Sequence, residues 1–177
     1  VISSFSDRKN ESFFYGSRFS FQTKTIRKDT AMTKTVFSIL RDKGHDVYSI
    51  SPDATVFEAL KVMADKEVGA LLVKDGTNVI GIMSERDYAR KVVLLGKSSK
   101  EAKVKEIMSD RVIFVHPNRT AEECMALMIN KRIRHLPVFD EKRTLMGIIS
   151  IGDVVKAVID EKEFVIGQLE DYISGKR

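Results

Sequence analysis

A single cysteine, Cys124, stands among 177 residues. That excludes an intramolecular disulfide framework and a cysteine-based zinc site. No run of about 18 apolar residues occurs, which excludes a transmembrane helix. Three prolines and ten glycines are too few for a collagenous or linker-like chain. Catalytic signatures are also missing. There is no Gly-x-x-x-x-Gly-Lys-[Ser/Thr] phosphate loop, no His-Glu-x-x-His and no Gly-x-Ser-x-Gly. No spacing pairs two carboxylates for acid–base work. His45, His116 and His135 would have to converge from separate elements to hold a metal. Enzymatic activity, a catalytic cofactor and a metal site are therefore not expected.

What is present suits a soluble chain of about one domain, long enough to bury a core: 43% of residues are hydrophobic and 31% charged. The net charge of +5 is unevenly placed. Residues 1–31 hold six basic against three acidic residues, and the remainder holds 24 against 22. The body is nearly neutral, so a nucleic-acid partner is not expected, because a basic footprint should sit on the domain itself. Residues 1–31 are rich in Ser, Thr and aromatics (Phe5, Phe13, Phe14, Tyr15, Phe19, Phe21) and show no sustained periodicity. Three readings are open: a targeting remnant, sequence upstream of an initiator at Met32, or an ordered extension.

The chain repeats itself. A shift of 65 aligns Pro52 with Pro117, Thr55 with Thr120, Glu58 with Glu123, Met63 with Met128 and Leu71 with Leu136. After one extra residue in the second copy, Gly81 meets Gly147, Ser84 meets Ser150 and Asp87 meets Asp153. In all, 12 of 36 aligned pairs are identical, and a repeat of this kind decides the fold. The lead-ins match too, Val36–Leu40 resembling Val104–Met108. Val56, Ala59, Leu60 and Met63 fall on one helix face, as do Ala121, Cys124, Met125 and Met128. Thr55 with Glu58 and Thr120 with Glu123 read as capping boxes. Strands are expected over 70–73 and 79–83, joined by an Asp75-Gly76 turn, and over 136–139 and 145–149. Asp87 and Asp153 each open a following helix. The first carries Tyr88, Val92 and Val93. The second turns Val154, Val155, Val158 and Ile159 inward. Each copy is β-α-β-β-α, and two such units must share a sheet-covering interface about a pseudo-twofold axis.

Gly-Ile-Met-Ser-Glu-Arg-Asp at 81–87 and Gly-Ile-Ile-Ser-Ile-Gly-Asp at 147–153 resemble the G-h-x-[ST]-x-x-D signature of cystathionine β-synthase (CBS) domains. Arg-His-Leu-Pro-Val at 134–138 is similar to the h-P-V strand of that family, and the Val-x-x-Ile-Met lead-in belongs with it. The run from Val36 to Gly175 looks like the single-pair CBS proteins of bacteria and plant mitochondria. The resemblance implies an α/β fold of α+β type with two tandem CBS repeats. It sets an N-terminal extension at 1–34, targeting or disordered, a first repeat at 35–100 and a second, ending in a long helix, at 101–177. It implies no attached enzyme or transporter domain. The compartment would be cytoplasmic in a bacterium, or the mitochondrial matrix if 1–31 is a transit remnant.

The resemblance also implies an adenosyl ligand: AMP, ADP, ATP, NAD or S-adenosylmethionine. The residue types suit one. Asp87 and Asp153 can accept ribose hydroxyls in a bidentate pair. Ser84 and Ser150 can donate to phosphate or ribose, near helix starts that favour anions. Arg86 and Arg90 flank the first Asp, and Lys156 replaces Arg90 in the second copy. By resemblance, Arg134 and His135 stand at a position that can reach phosphates in the family, where the first copy has Gly69 and Ala70. By resemblance, adenine would lie near Ile50 and Val68 in one site and Val115 and Ile133 in the other. Two inequivalent sites are expected, one drawing cations from both repeats.

Plainer roles remain open for the same residues. Asp87 and Asp153 would serve as helix N-caps, each worth about 1 kcal/mol without any ligand. Ser84 and Ser150 would be strand-end turn residues. Lys131, Arg132 and Arg134 would be a solvated face. Cys124 falls on an apolar helix face, where a free thiol is an inert core residue. His45 and His116 would flank strands, and Tyr88 would be core or cleft wall. The leading expectation is a regulatory adenosyl-nucleotide-binding module that modulates an unidentified partner protein. It would form a homodimer, with the amphipathic stretch Val154–Ile173 as a dimer or partner contact. The alternative is a protein-interaction regulator, for example of a thioredoxin-type partner, with vestigial nucleotide sites.

Overall fold

A computed structural model describes residues 33–175. The readings of residues 1–31 lie outside the described residues. The chain runs α1 (Val36–Lys43), β1 (Ser49–Ile50), α2 (Val56–Asp65), β2 (Ala70–Asp75), β3 (Asn78–Ser84) and α3 (Glu85–Lys91). A 3-10 turn (Val93–Leu95) leads to α4 (Val104–Ile107), α5 (Ala121–Lys131), β4 (His135–Phe139), β5 (Leu145–Ser150) and α6 (Ile151–Ile173).

The helices α2 and α5 start where the capping boxes place them. Thr55 N–H donates to Glu58 Oε2 at 2.7 Å, and Glu58 N–H returns to Thr55 Oγ1 at 3.2 Å. Thr120 and Glu123 repeat the pattern at 3.0 and 3.1 Å. Each box satisfies two amides that a helix start otherwise leaves orphaned. The inward stripes are Val56, Ala59 and Met63 in α2, and Ala121, Cys124 and Met128 in α5, all buried. Burying one Val or Met in this way contributes about 1.5–3 kcal/mol.

In the first half β2 and β3 form an antiparallel hairpin, and β1 lies parallel to β2. Gly76 makes the turn at φ +57°, a left-handed conformation that suits glycine. In the second half β4 and β5 pair antiparallel. The expected strand before α5 is reduced to a single parallel bridge, Val115 to Val138. Pro137 is the cause. In the first half Leu72 N–H donates to Tyr48 O at 3.1 Å. Pro137 stands at the position of Leu72 and has no N–H to donate. The two bonds that need no such donor survive, Val115 N–H to Pro137 O and Phe139 N–H to Val115 O, each at 3.0 Å.

The helices after the hairpins begin earlier than the aspartates. Ser84 and Ser150 are the N-caps, and Asp87 and Asp153 stand at the third helical position. Helix α3 is also short. Val92 is buried just beyond it, but Val93 lies in the 3-10 turn, 53% exposed. In α6 the buried positions are Val154, Ala157 and Glu161, at i, i+3 and i+7. Val155 and Ile159 lie a step around the helix and face outward.

Two cores form, and they exchange their lead-in helices. Val36, Ile39 and Leu40 of α1 pack with Val115, Leu136, Ile149 and Val154 of the second half. Val104 and Ile107 of α4 pack with Val56, Leu71, Val73 and Met83 of the first half. The glycines that open the repeated signature explain how. A Cβ on Gly147 would lie 2.7 Å from Leu40 Cδ2, and a Cβ on Gly81 would lie 2.6 Å from Met108 Sδ. Each lead-in therefore seats its last apolar side chain on the glycine of the opposite repeat. Leu40 and Met108 are themselves equivalent positions, so the two contacts are related as a twofold axis relates them.

A candidate nucleotide cleft between the repeats

The junction of strand and helix is built the same way twice. Asp87 Oδ2 accepts from Ser84 N–H at 3.0 Å and from Ser84 Oγ at 2.7 Å. Asp153 Oδ2 accepts from Ser150 N–H at 2.7 Å and Ser150 Oγ at 2.8 Å. The first free amide of each helix reaches back to the neighbouring strand. Glu85 N–H donates to Gly69 O at 3.2 Å and Ile151 N–H to Arg134 O at 2.8 Å. The serine and aspartate thus fix the turn, and the capping and ligand roles remain compatible.

The surroundings differ. Beside Asp87 opens a cleft of about 290 Å³ walled by both halves of the molecule. Ser84, Arg86, Asp87 and Arg90 come from the first repeat, and Ile133, Arg134 and His135 from the second. The cations expected from both repeats therefore do meet in one place. Arg86 crosses the cleft, its Nη1 donating to Arg132 O at 2.5 Å. Arg132 ends α5 in the left-handed region at φ +53°, a conformation a non-glycine residue adopts at some cost. Lys91 lies 3.0 Å from Asp87 Oδ1 and also donates to Ile107 O at 2.6 Å.

Six lining residues were not singled out as ligands from the sequence: Ile82, Lys91, Ser109, Arg111, Ile113 and Arg132. Arg132 had the plainer reading of a solvated face; it is exposed, yet it stands on the cleft wall. Ser109, Arg111 and Ile113 belong to the connector after α4. The exchange of lead-ins brings that connector to the Asp87 side, and Ile82 is bridged to Ser109. Of the expected adenine walls, Ile133 lines the cleft with Ile113 opposite the first repeat. Val115 does not; it is buried in the second core, 6% exposed. Ile50 and Val68 pack against the first core and are also absent from this cleft.

A second, smaller cleft of about 200 Å³ lies beside Asp153, lined by Lys34, Asp42, Lys43 and Lys156 among others. Here the carboxylate is already engaged: Lys43 Nζ lies 2.6 Å from Asp153 Oδ2. Burial alone would raise the Asp153 carboxyl, but the hydrogen bonds from Lys43 and Ser150 outweigh it and hold the group below the usual value. His135 stands near both clefts, its ring beside Gly69. Burial, then the charges of Arg134, Lys43 and Arg86, push its pKa down to about 4 against the pull of Asp153. Its ring is neutral near pH 7.

The remaining histidines and the cysteine have structural roles. His45 Nδ1 donates to Met146 O at 2.8 Å, and His116 Nδ1 to Phe139 O at 3.0 Å, each bracing a hairpin strand. Cys124 is buried, and desolvation followed by the charge of Glu123 raises its thiol to about 11. Among the described residues no three His, Cys, Asp or Glu side chains are grouped to hold a metal ion. No described helix is long and apolar enough to cross a membrane.

Comparison with known proteins agrees with the repeat. The CBS domain profile matches residues 31–94 and 104–160. The CBS domain-containing protein CBSX3, mitochondrial, of Arabidopsis thaliana is 36% identical over 173 residues, covering 93% of this chain and 84% of that protein. The solved structure of a protein with CBS domains from Burkholderia ambifaria is 51% identical. It covers 72% of this chain and 95% of the other, with a TM-score of 0.69. The CBS domain pair of protein MJ0100, solved with 5′-methylthioadenosine and S-adenosyl-L-methionine, shares the fold at 22% identity and a TM-score of 0.63. That match covers 73% of this chain and 98% of the other. The α+β body with its exchanged lead-ins is a pair of tandem CBS repeats, and the chain belongs to the CBS domain family.

Proposed function

We propose that the chain is a regulatory module that binds an adenosyl nucleotide in the Asp87 cleft and modulates a partner protein. CBS pairs are in general regulatory modules for adenosyl ligands, and the MJ0100 pair holds two such compounds on the same fold. The observation that carries the reading is the meeting, in one cleft, of the Ser84–Asp87 pair with Arg134 from the other repeat. Asp87 offers ribose hydroxyls a carboxylate, Ile113 and Ile133 offer adenine an apolar slot, and the arginines offer phosphates forked donors. Both aspartates already meet a lysine, Lys91 and Lys43, so in this reading the Asp87 cleft is the working site because arginines from both repeats line it. A ligand held by groups from both repeats shifts their arrangement by its differential affinity for the two states. Self-association belongs to the same proposal: beyond Glu161 helix α6 carries no buried residue and exposes Phe164, Ile166, Leu169, Tyr172 and Ile173.

The test is thermal unfolding of the full chain with AMP, ADP, ATP, NAD and S-adenosylmethionine, on wild type, Asp87→Asn and Asp153→Asn. A ligand at 100 times its dissociation constant stabilises by about 2.7 kcal/mol. The expected result is a shift retained in Asp153→Asn and lost in Asp87→Asn. No shift with any ligand would refute the reading.

A further inference from the structure

The lining of the Asp87 cleft is more cationic than a ribose and one phosphate require. Arg86, Arg90, Lys91, Arg111, Arg132 and Arg134 stand around a single carboxylate, Asp87. That carboxylate is already matched by Lys91. Arg86 is turned to a neutral carbonyl. Among the described residues Arg90, Arg111, Arg132 and Arg134 make no ion pair. Like charges gathered in a concave wall raise the local potential and repel one another until an anion enters. The arginines also come from three separate pieces of chain: α3, the connector after α4, and the end of α5. They therefore surround the opening rather than stack along one helix face. Guanidinium groups spread in this way fit an anion with several oxygen-bearing centres better than one compact group.

We propose that this cleft selects its ligand by phosphate count. It prefers an adenosyl di- or triphosphate to the monophosphate and rejects S-adenosylmethionine, and Arg111 and Arg132 read the outer phosphates. The inference rests on the nucleotide reading given above and narrows it. A monophosphate near the Ser84–Asp87 turn satisfies the nearest arginines and leaves the outer ones repelling each other. Each added phosphate brings further negative charge toward them. S-adenosylmethionine has a sulfonium where a nucleotide has its 5′ oxygen, so it sets a cation against the arginines.

Isothermal titration of the full chain with ATP, ADP, AMP, adenosine and S-adenosylmethionine, at matched ionic strength, tests the proposal. ATP and ADP are expected to bind about tenfold or more tightly than AMP, the size of one charge-assisted contact. S-adenosylmethionine should give no heat of binding. Arg111→Gln and Arg132→Gln should each weaken ATP about tenfold and leave AMP within about twofold. Arg111→Lys, which keeps the charge, should retain most of the preference. Both arginines are exposed, so the glutamine variants should fold with a urea midpoint at or above that of wild type. AMP binding as tightly as ATP, or S-adenosylmethionine binding as tightly as ADP, would overturn the phosphate count and leave the nucleotide reading standing. An ATP loss in the glutamine variants matched by an equal AMP loss would overturn the roles of Arg111 and Arg132. Binding of none of the five compounds would overturn both readings together.

Discussion

Gly147→Ala probes the feature on which the architecture turns, the seating of helix α1 on the opposite repeat. The backbone of Gly147 is not in the left-handed region, so alanine meets no conformational penalty there. In a compatible backbone, glycine to alanine gains about 0.4–1 kcal/mol by restricting the unfolded chain. The sign is therefore decided by space. The new Cβ would stand 2.7 Å from Leu40 Cδ2 and 3.2 Å from Cδ1. Leu40 is fully buried and has nowhere to swing. Overpacking of this kind costs about 1–3 kcal/mol. Leu40→Ala alone should cost about 2–5 kcal/mol through the void it leaves. In the double variant the alanine methyl at 147 occupies part of that void and the clash is gone. The two costs should then fall short of their sum by about 1 kcal/mol or more. Urea unfolding of wild type, both single variants and the double variant measures the coupling. If Gly147→Ala is neutral or stabilising, or if the costs add within about 0.5 kcal/mol, α1 does not pack on β5.

Three further outcomes are expected. His135 titrates near pH 4 in the folded protein and near 6.5 when unfolded. The unfolded chain therefore binds the extra proton first as the pH falls. Its contribution is fully present above pH 6.5 and is lost toward pH 4, by about 3 kcal/mol at most. Comparing urea midpoints of wild type and His135→Gln across that window should show the variant losing less; equal slopes would contradict the buried neutral ring. Asp153→Asn should cost about 1 kcal/mol or less at pH 7, because the Lys43 pair is partly exposed. The cost should shrink as the pH falls below the unfolded carboxylate value and be gone once the folded carboxyl is itself protonated; a penalty that does not fall with pH would point to lost packing instead. Cys124 should resist a disulfide reagent in the native protein and react on unfolding, its thiol being buried and raised to about 11; rapid native labelling would show the α5 face to be open.

The repeat, the two hairpins and the helices α2 and α5 were legible because their signals are local. A capping box spans four residues, and an apolar stripe needs only one helix. Two local readings nevertheless slipped. Asp87 and Asp153 resemble N-caps when taken alone, but Ser84-x-x-Asp87 and Ser150-x-x-Asp153 are boxes in their own right, which sets each helix start three residues earlier. The missing strand before α5 was written in Pro137, whose absent N–H matters only once its pairing partner is known. The walls of the cleft were harder. Ser84 and Asp87 could be picked out by the doubled signature, and Arg134 and His135 by the family resemblance. Arg111 and Ile113 could not, because they reach Asp87 only through the crossing of α4 to the first core. Val115 does not line that cleft, because its side chain packs into the second core.

The two copies of the signature do the same structural work and then diverge. In each, the glycine takes the crossed lead-in and the serine and aspartate lock the turn, so folding explains those residues without any ligand. It does not explain what surrounds Asp87. Exposed arginines at 90, 111, 132 and 134 bury little, pair with no described carboxylate and repel one another. A surface kept only for solubility would intersperse both signs. Around Asp153 the charges do alternate: Lys34 is 3.6 Å from Asp42, and Lys43 is bonded to Asp153. The same fold thus holds one cleft where cations and carboxylates pair and one where four arginines pair with no described carboxylate. A twofold scaffold gives no reason for that difference, because the strand-to-helix turn that holds each aspartate is duplicated. The difference at the two turns lies in side chains, Gly69 and Ala70 against Arg134 and His135, and Arg86 against Gly152. Those substitutions collect the cations on one side of the axis. Like charges from both repeats thus gather around Asp87, and under the proposed reading a nucleotide there would meet cations of both at once.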